Sequence, residues 1–204
     1  VAIYHFSVKI ISRGQGRSVI AAAAYRAGER LRDHHLGRWQ NYTRTKEMLA
    51  LESGLAATAE ALGKGGHKPV APALCRQHAE AAGLGDEQAL ALGRITGATH
   101  LAAVVGHAGT GKSTLLGAAR ATWEAAGYRV RGAALSGIAA EGLQQGAGIE
   151  SRTIASLLRQ WGQGRETLSA RDVLVVDEAG MVGSRDLAAL LAAVQAAGAR
   201  RAGP

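Results

Sequence analysis

Gly106-His-Ala-Gly-Thr-Gly111-Lys112-Ser113 limits the folds open to this chain more than any other stretch. A purely apolar run, Leu101 to Val105, leads into it, and a helix-forming stretch from about Gly111 leads out. Glycines at 106, 109 and 111 let the backbone turn tightly enough for successive N–H groups to face one point. A helix that starts at that point adds the positive end of its dipole. Strand, glycine turn and helix in this order therefore predict a cradle for phosphate. Lys112 can reach the β- and γ-phosphates as a point charge, and the Ser113 hydroxyl can ligate Mg²⁺. The predicted nucleotide contacts are Gly106, Gly109, Thr110, Gly111, Lys112, Ser113 and Thr114.

A second motif supports the first. In VLVVDEAGMV, Val173 to Val182, four apolar residues carry the chain through a sheet before two carboxylates emerge. Open parallel sheets bind ligands at the carboxyl ends of their strands. Asp177 is accordingly the candidate Mg²⁺ ligand, beside Ser113, and Glu178 the candidate for polarising an attacking water. Taken alone, such a pair is an ordinary capped strand end; the phosphate loop upstream gives it its meaning. LAAVV, RVRGAAL and VLVVD read as buried strands, with helices opening near Gly111, Gly137, Ser151 and Arg185. This alternation predicts an α/β fold with a parallel sheet of three or four strands. Further helices are expected from about Thr45 to Leu62, near Ala73 to Ala82, and from Asp86. Gln88, at the start of the last, has the donor and acceptor needed to read an adenine edge.

Composition narrows the class. Apolar residues make up 47% and aromatics only 4%, so the core has to be built from Ala, Leu, Val and Ile. The single cysteine, Cys75, excludes an internal disulfide and a multi-cysteine zinc site. No apolar run approaches the ~18 residues of a membrane span, and no secretory signal is evident, so a cytoplasmic location is expected. The net charge is +8, and seven of those charges fall in residues 1–46, where nine Lys/Arg face only Glu29 and Asp33. A polyanion is the expected partner of that segment. Within it, Tyr4, Phe6, Val8 and Ile10 alternate with more polar neighbours as on a strand, and Ser18 caps an Ala-rich helix.

On these residues the chain resembles a known family. EQALALGRITGATHLAAVVGHAGTGKSTLLGAARATWEAAGYRVRGAALSGIAAEGL, SRTIASLL and ARDVLVVDEAGMVGSRDL look like the motor half of Ti-type conjugative-transfer relaxases of the TraA family. Such motors belong to the RecD-like branch of superfamily 1 helicases. The resemblance implies a RecA-like P-loop NTPase domain that binds ATP and Mg²⁺ and translocates on single-stranded DNA. It assigns adenine contact to Gln88, the phosphate-loop pair to Lys112 and Ser113, and the Mg²⁺ and water-activating carboxylates to Asp177 and Glu178. It also places Ala134 to Ala140 where the DNA backbone is contacted.

AIYHFSVKIISRGQGRSVIAAAAYRAGERLRD is similar to the amino terminus of MobA/MobL-type relaxases. That family nicks a plasmid transfer origin by tyrosine attack on a phosphodiester, and Tyr25 occupies the nucleophile's position. His34 and His35 are adjacent and would point to opposite faces of a strand, so the family's metal-binding histidine pattern is not reproduced. The resemblance implies a partition into a relaxase-like β-α segment (1–44), a helical lead-in (45–85) and a motor domain (86–204) lacking its later strands. The partners implied are single-stranded DNA at a transfer origin and other relaxosome proteins. A conjugative relaxase–helicase fragment is the first reading, with nucleotide binding but no unwinding expected of the chain alone. A non-hydrolysing, nucleotide-dependent DNA-binding module, or a decayed gene fragment whose amino-terminal strand has lost its sheet, is the alternative.

Overall fold

The computed structural model describes residues 7–13, 46–64, 69–106 and 110–199. Among these residues five strands form one sheet: β1 (Ser7–Arg13), β2 (Leu101–Gly106), β3 (Arg129–Ala134), β4 (Ser151–Thr153) and β5 (Asp172–Asp177). Their order is β2-β1-β5-β3-β4, and each of the four adjacent pairs is parallel. Among the described residues seven α-helices surround it: α1 (Lys46–Lys64), α2 (Pro72–Ala81), α3 (Asp86–Ile95), α4 (Lys112–Ala125), α5 (Gly137–Ala147), α6 (Ile154–Gly162) and α7 (Ser184–Ala199). The α/β parallel architecture expected from the strand–helix alternation is present.

The fifth strand is the departure from expectation. The amino-terminal strand, expected in an appendage and on one reading orphaned, lies inside the sheet. Its residues Val8 to Arg13 pair with Leu101 to Gly106, and Ser7 to Ile11 pair with Val173 to Asp177. β1 thus separates β2 from β5, and the amino-terminal strand shares one sheet with the strands of residues 101–177. A smaller difference lies at Ser151, where a helix was expected. The chain first adds the short edge strand β4, and only then does Thr153 cap α6 by accepting the Ser156 N–H at 3.2 Å.

The sheet is covered on both faces, as parallel sheets have to be. In β5 every residue is buried, and the period-two alternation splits it between two cores. Val173 and Val175 pack with Leu92, Ile95, Leu115 and Trp123 beneath α2 to α5. Leu174 and Val176 pack with Leu55, Ile154, Leu190 and Val194 beneath α1, α6 and α7. Each such side chain taken fully from water contributes roughly 1.5–3 kcal/mol. Local signals set the helix ends: Pro72 opens α2, Ser136 caps α5 through the Ala139 N–H at 3.1 Å, and Gly148 closes α5 at φ 68°.

At the amino-terminal edge of the sheet, Asp172 is wholly buried and ion-paired. Its Oδ1 accepts from Arg129 Nε at 2.5 Å, and its Oδ2 accepts from the Ser169 N–H and hydroxyl, each at 2.6 Å. Burial alone would raise the carboxyl's pKa, but the hydrogen bonds from Arg129 and Ser169 outweigh it and hold Asp172 below the ordinary Asp value. A depressed carboxylate stabilises the fold above its unfolded-state pKa, and that contribution is lost as pH falls through the folded value. Asp172→Asn is therefore expected to cost about 2 kcal/mol at pH 7 and to narrow the gap from wild type below about pH 4, read from urea melts at both pH values. The place of β1 is checked separately. Ile10→Pro in a central strand removes a ladder donor and is expected to abolish cooperative thermal unfolding, whereas in an unpaired tail it would leave the melt unmoved.

Candidate functional site

All five strands run the same way, so their carboxyl ends share one edge of the sheet. β2 reaches that edge at Gly106, β5 at Asp177 and β3 at Ala134. The register fixes their relative heights. Ile11 of β1 pairs with Val104 on one side and Asp177 on the other, while Arg13 pairs with Gly106. Gly106 and Asp177 are therefore on strands two spacings apart, about 10 Å, with Gly106 two residues further toward the edge.

α4 begins directly after the glycine turn. Gly111 is its N-cap and takes a left-handed conformation, φ 72° and ψ 28°, which favours glycine. A Cβ there would also collide with the Gln88 amide nitrogen. Position 111 is thus restricted to glycine twice over, by backbone and by space. Lys112 follows and is buried at 8% exposure, Ser113 is half-buried and Thr114 exposed. α5 comes close to this corner at Gly146, where an added Cβ would lie 3.1 Å from Ser113 Oγ. Sequence reasoning missed Gly146, since it lies in the last turn of α5, where a glycine reads as part of the helix end that Gly148 closes.

Gln88 joins the site in an unanticipated way. Its Oε1 accepts from the Gly85 N–H at 3.1 Å, closing the first turn of α3, while its Nε2 donates to the Thr110 carbonyl at 2.9 Å. The side chain is a strut from α3 to the phosphate loop. The glutamine three residues after the N-cap was the available signal. An amide has two donor hydrogens and two acceptor lone pairs, so a base edge would use the second of each or exchange these partners.

Asp177 ends β5 buried at 7% exposure, and its Oδ1 accepts from the Glu178 N–H at 3.0 Å. Glu178 is left-handed, φ 52° and ψ 36°, a conformation that costs a non-glycine residue about 1–2 kcal/mol. The Met181 N–H donates to the Glu178 carbonyl at 2.8 Å and fixes the short turn Ala179–Met181. The strained residue turns the chain at the sheet edge, with Glu178 immediately beyond the buried Asp177. No group of three or more His, Cys, Asp or Glu occurs among the described residues. A divalent ion at this edge would therefore be completed by water and phosphate oxygens, as Mg²⁺ ordinarily is. The donor set of Ser113 and Asp177 fits that chemistry.

Beyond β3 the stretch Ala134 to Ala140 passes from a buried Ala134 to exposed Leu135 and Ile138, the latter 85% exposed. Met181 is exposed at the end of β5 as well. Around the starts of β3 and β4, away from this edge, Arg129, Arg131, Glu150, Arg152 and Glu166 line a cleft of about 240 Å³. Its arginines are held by Asp172 and Glu166, with Arg152 3.3 Å from the latter. Tyr25, Gly109, His34 and His35 lie outside the described residues. No helix among the described residues is long and apolar enough to cross a membrane.

Residues 83–202 match the family described as AAA domain. The chain is 44% identical over 160 residues to "Probable conjugal transfer protein TraA" of Sinorhizobium fredii and 45% over 157 residues to "Conjugal transfer protein TraA" of Agrobacterium fabrum. Each alignment covers 76% of this chain but 14% of the relative. A third relative, "Mobilization protein MobL" of Acidithiobacillus ferridurans, is 50% identical over 52 residues, 26% of this chain and 14% of its own length. No solved structure matches.

Gly111→Ala is expected to destabilise the chain by about 1–2 kcal/mol from backbone strain alone, plus the displacement of Gln88. In a Gln88→Ala background the second part disappears, so the measured cost should be smaller there. Equal costs in both backgrounds would mean that Gln88 does not press on the loop.

Proposed function

This chain belongs to the AAA-domain family, and from that premise we propose that it is the ATP-binding motor segment of a conjugative DNA-transfer protein. The observation that supports this most is the shared sheet edge. There β2, which leads into the glycine turn and the buried Lys112, and β5, which ends in the buried Asp177, lie two strand spacings apart. A nucleoside triphosphate fits between them. Gly106, Gly109, Thr110, Gly111 and the start of α4 cradle its phosphates through backbone N–H groups, with Thr114 beside them. Lys112 offsets phosphate charge in a site where burial strengthens the attraction. Ser113 and Asp177 would hold Mg²⁺, which supplies charge neutralisation at the phosphates when bound. Glu178 would orient water at the terminal phosphate. Gln88 reads the adenine and, through Thr110, ties that contact to the loop.

The DNA side of the proposal is supported by the relatives named as conjugal transfer and mobilization proteins. In this reading the motor is RecD-like and translocates on single-stranded DNA, whose backbone meets Ala134 to Ala140. The basic residues of 1–46 add salt-dependent affinity for the same polyanion. Tyr25 is the proposed nucleophile of the relaxase-like segment, attacking a phosphodiester at a transfer origin among other relaxosome proteins.

Thermal melts with Mg-ATP test the central claim. At a hundred times Kd the native state should gain about 2.7 kcal/mol, and Lys112→Ala should show no gain at the same concentration. A cooperative melt that nucleotide fails to shift, or shifts equally in the mutant, would sink the nucleotide reading.

A further inference from the structure

We propose that Gly146 of α5 is a positioning residue for the magnesium end of the nucleotide site. By carrying no side chain, it lets Ser113 keep its place on the first turn of α4. The inference rests on the nucleotide reading above and deepens it. Ser113, Gly117 and Arg120 follow one another on α4 at helical spacing and so share one face of it. The last turn of α5 lies against that face. Arg120 Nε donates to the Ala147 carbonyl at 3.1 Å, while the same guanidinium pairs with Glu124 at 2.8 Å. A cation at a helix carboxyl end also meets the negative end of the dipole, so charge as well as packing holds α5 to α4. The contact at Gly117 is ordinary, since a Cβ there would lie 3.7 Å from the Ala147 carbonyl oxygen.

The seam is tightest at Gly146. This residue lies within α5, where the backbone does not require glycine and alanine would be the more favourable choice. What excludes alanine is space. A Cβ at position 146 would lie 3.1 Å from Ser113 Oγ and 3.2 Å from Ser113 Cβ. Turning the hydroxyl to another rotamer relieves the first contact and leaves the second, so the added carbon displaces Ser113 itself. Retreat of α5 is opposed by the hold of Arg120 on Ala147. The same change one turn earlier is free of contact, since a Cβ at Gly142 meets nothing within 4 Å. Mg²⁺ demands near-ideal octahedral geometry at about 2.0–2.1 Å, so a donor moved by a few tenths of an ångström is a poorer ligand. Crowding at position 146 therefore falls first on the contribution of Mg²⁺ to nucleotide affinity.

The experiment measures ATP affinity of the full chain in excess EDTA and in saturating Mg²⁺, with nucleotide-free melts as a folding control. The wild type should gain affinity from Mg²⁺. Gly146→Ala should cut that gain about fivefold and leave the EDTA value within about twofold, while Gly142→Ala should change neither. Ser113→Ala should remove the gain, and adding Gly146→Ala to it should remove nothing further. A Gly146→Ala variant that weakens ATP equally in both buffers, or that behaves as Gly142→Ala does, would overturn the proposal. Where Gly146→Ala melts without cooperativity, adding Ser113→Gly, which deletes both crowded atoms, should restore the melt; a melt that stays lost would overturn the proposal as well. A wild type that binds ATP and gains nothing from Mg²⁺ would overturn the role of Gly146 and leave nucleotide binding standing. One that binds no ATP would remove both.

Discussion

A strand that carries a phosphate loop has to be held along its length, and among the described residues β2 is held on one side only. Among the described residues its sheet partner is β1, which in turn pairs with β5. The ladder from Leu101 to Gly106 against Val8 to Arg13 is therefore the backbone link between the phosphate loop and the strand that ends in Asp177. The relative height of the two halves of the site is set through that intermediary. A slip of one residue in either ladder would shift the loop by about 3.3 Å against the carboxylates and move every β1 residue to the opposite face.

The same edge shows how strain is distributed. The middle of the sheet is conformationally ordinary, with β5 buried throughout and divided evenly between two apolar cores. Among the described residues left-handed backbone lies outside the strands: Gly111 and Glu178 adopt it beside the candidate site, and Glu166, at φ 49°, adopts it in the loop before β5. Glycine makes the first inexpensive. The second is a cost retained at a residue whose neighbour is a buried carboxylate, the pattern in which rigid surroundings hold a strained turn in place.

Much of this was legible in the sequence because it rests on local signals. The apolar runs of β2 and β5, the glycine turn before α4, and the start of α3 at Asp86 all follow from composition and spacing. The helix expected near Ala73 to Ala82 appears as Pro72–Ala81, since proline marks a first turn in the residue string itself. What stayed hidden depends on distant partners. Val8 and Ile10 announce a strand, yet nothing in their alternation names Leu101 or Val173 as a neighbour. Ser151 and Thr153 both suit a helix cap, and only pairing with Gly132 and Ala134 makes the intervening residues a strand. Glu178 carries no sign of its backbone conformation, because the signal for that region is glycine or asparagine. The Gln88 strut was half visible, in its distance from Gly85, but its second partner lies on another element.

The central position of β1 also bears on how the chain is made. Ile10 is synthesised well before its partners Ala103 and Val176. Contacts so distant along the chain close slowly, because loop entropy is spent before they are rewarded. Until β5 has been synthesised, β1 has no completed slot, and its hydrogen-bonding groups remain open to other strands. The contact order of this sheet thus concentrates its risk of mispairing during synthesis on its own middle strand.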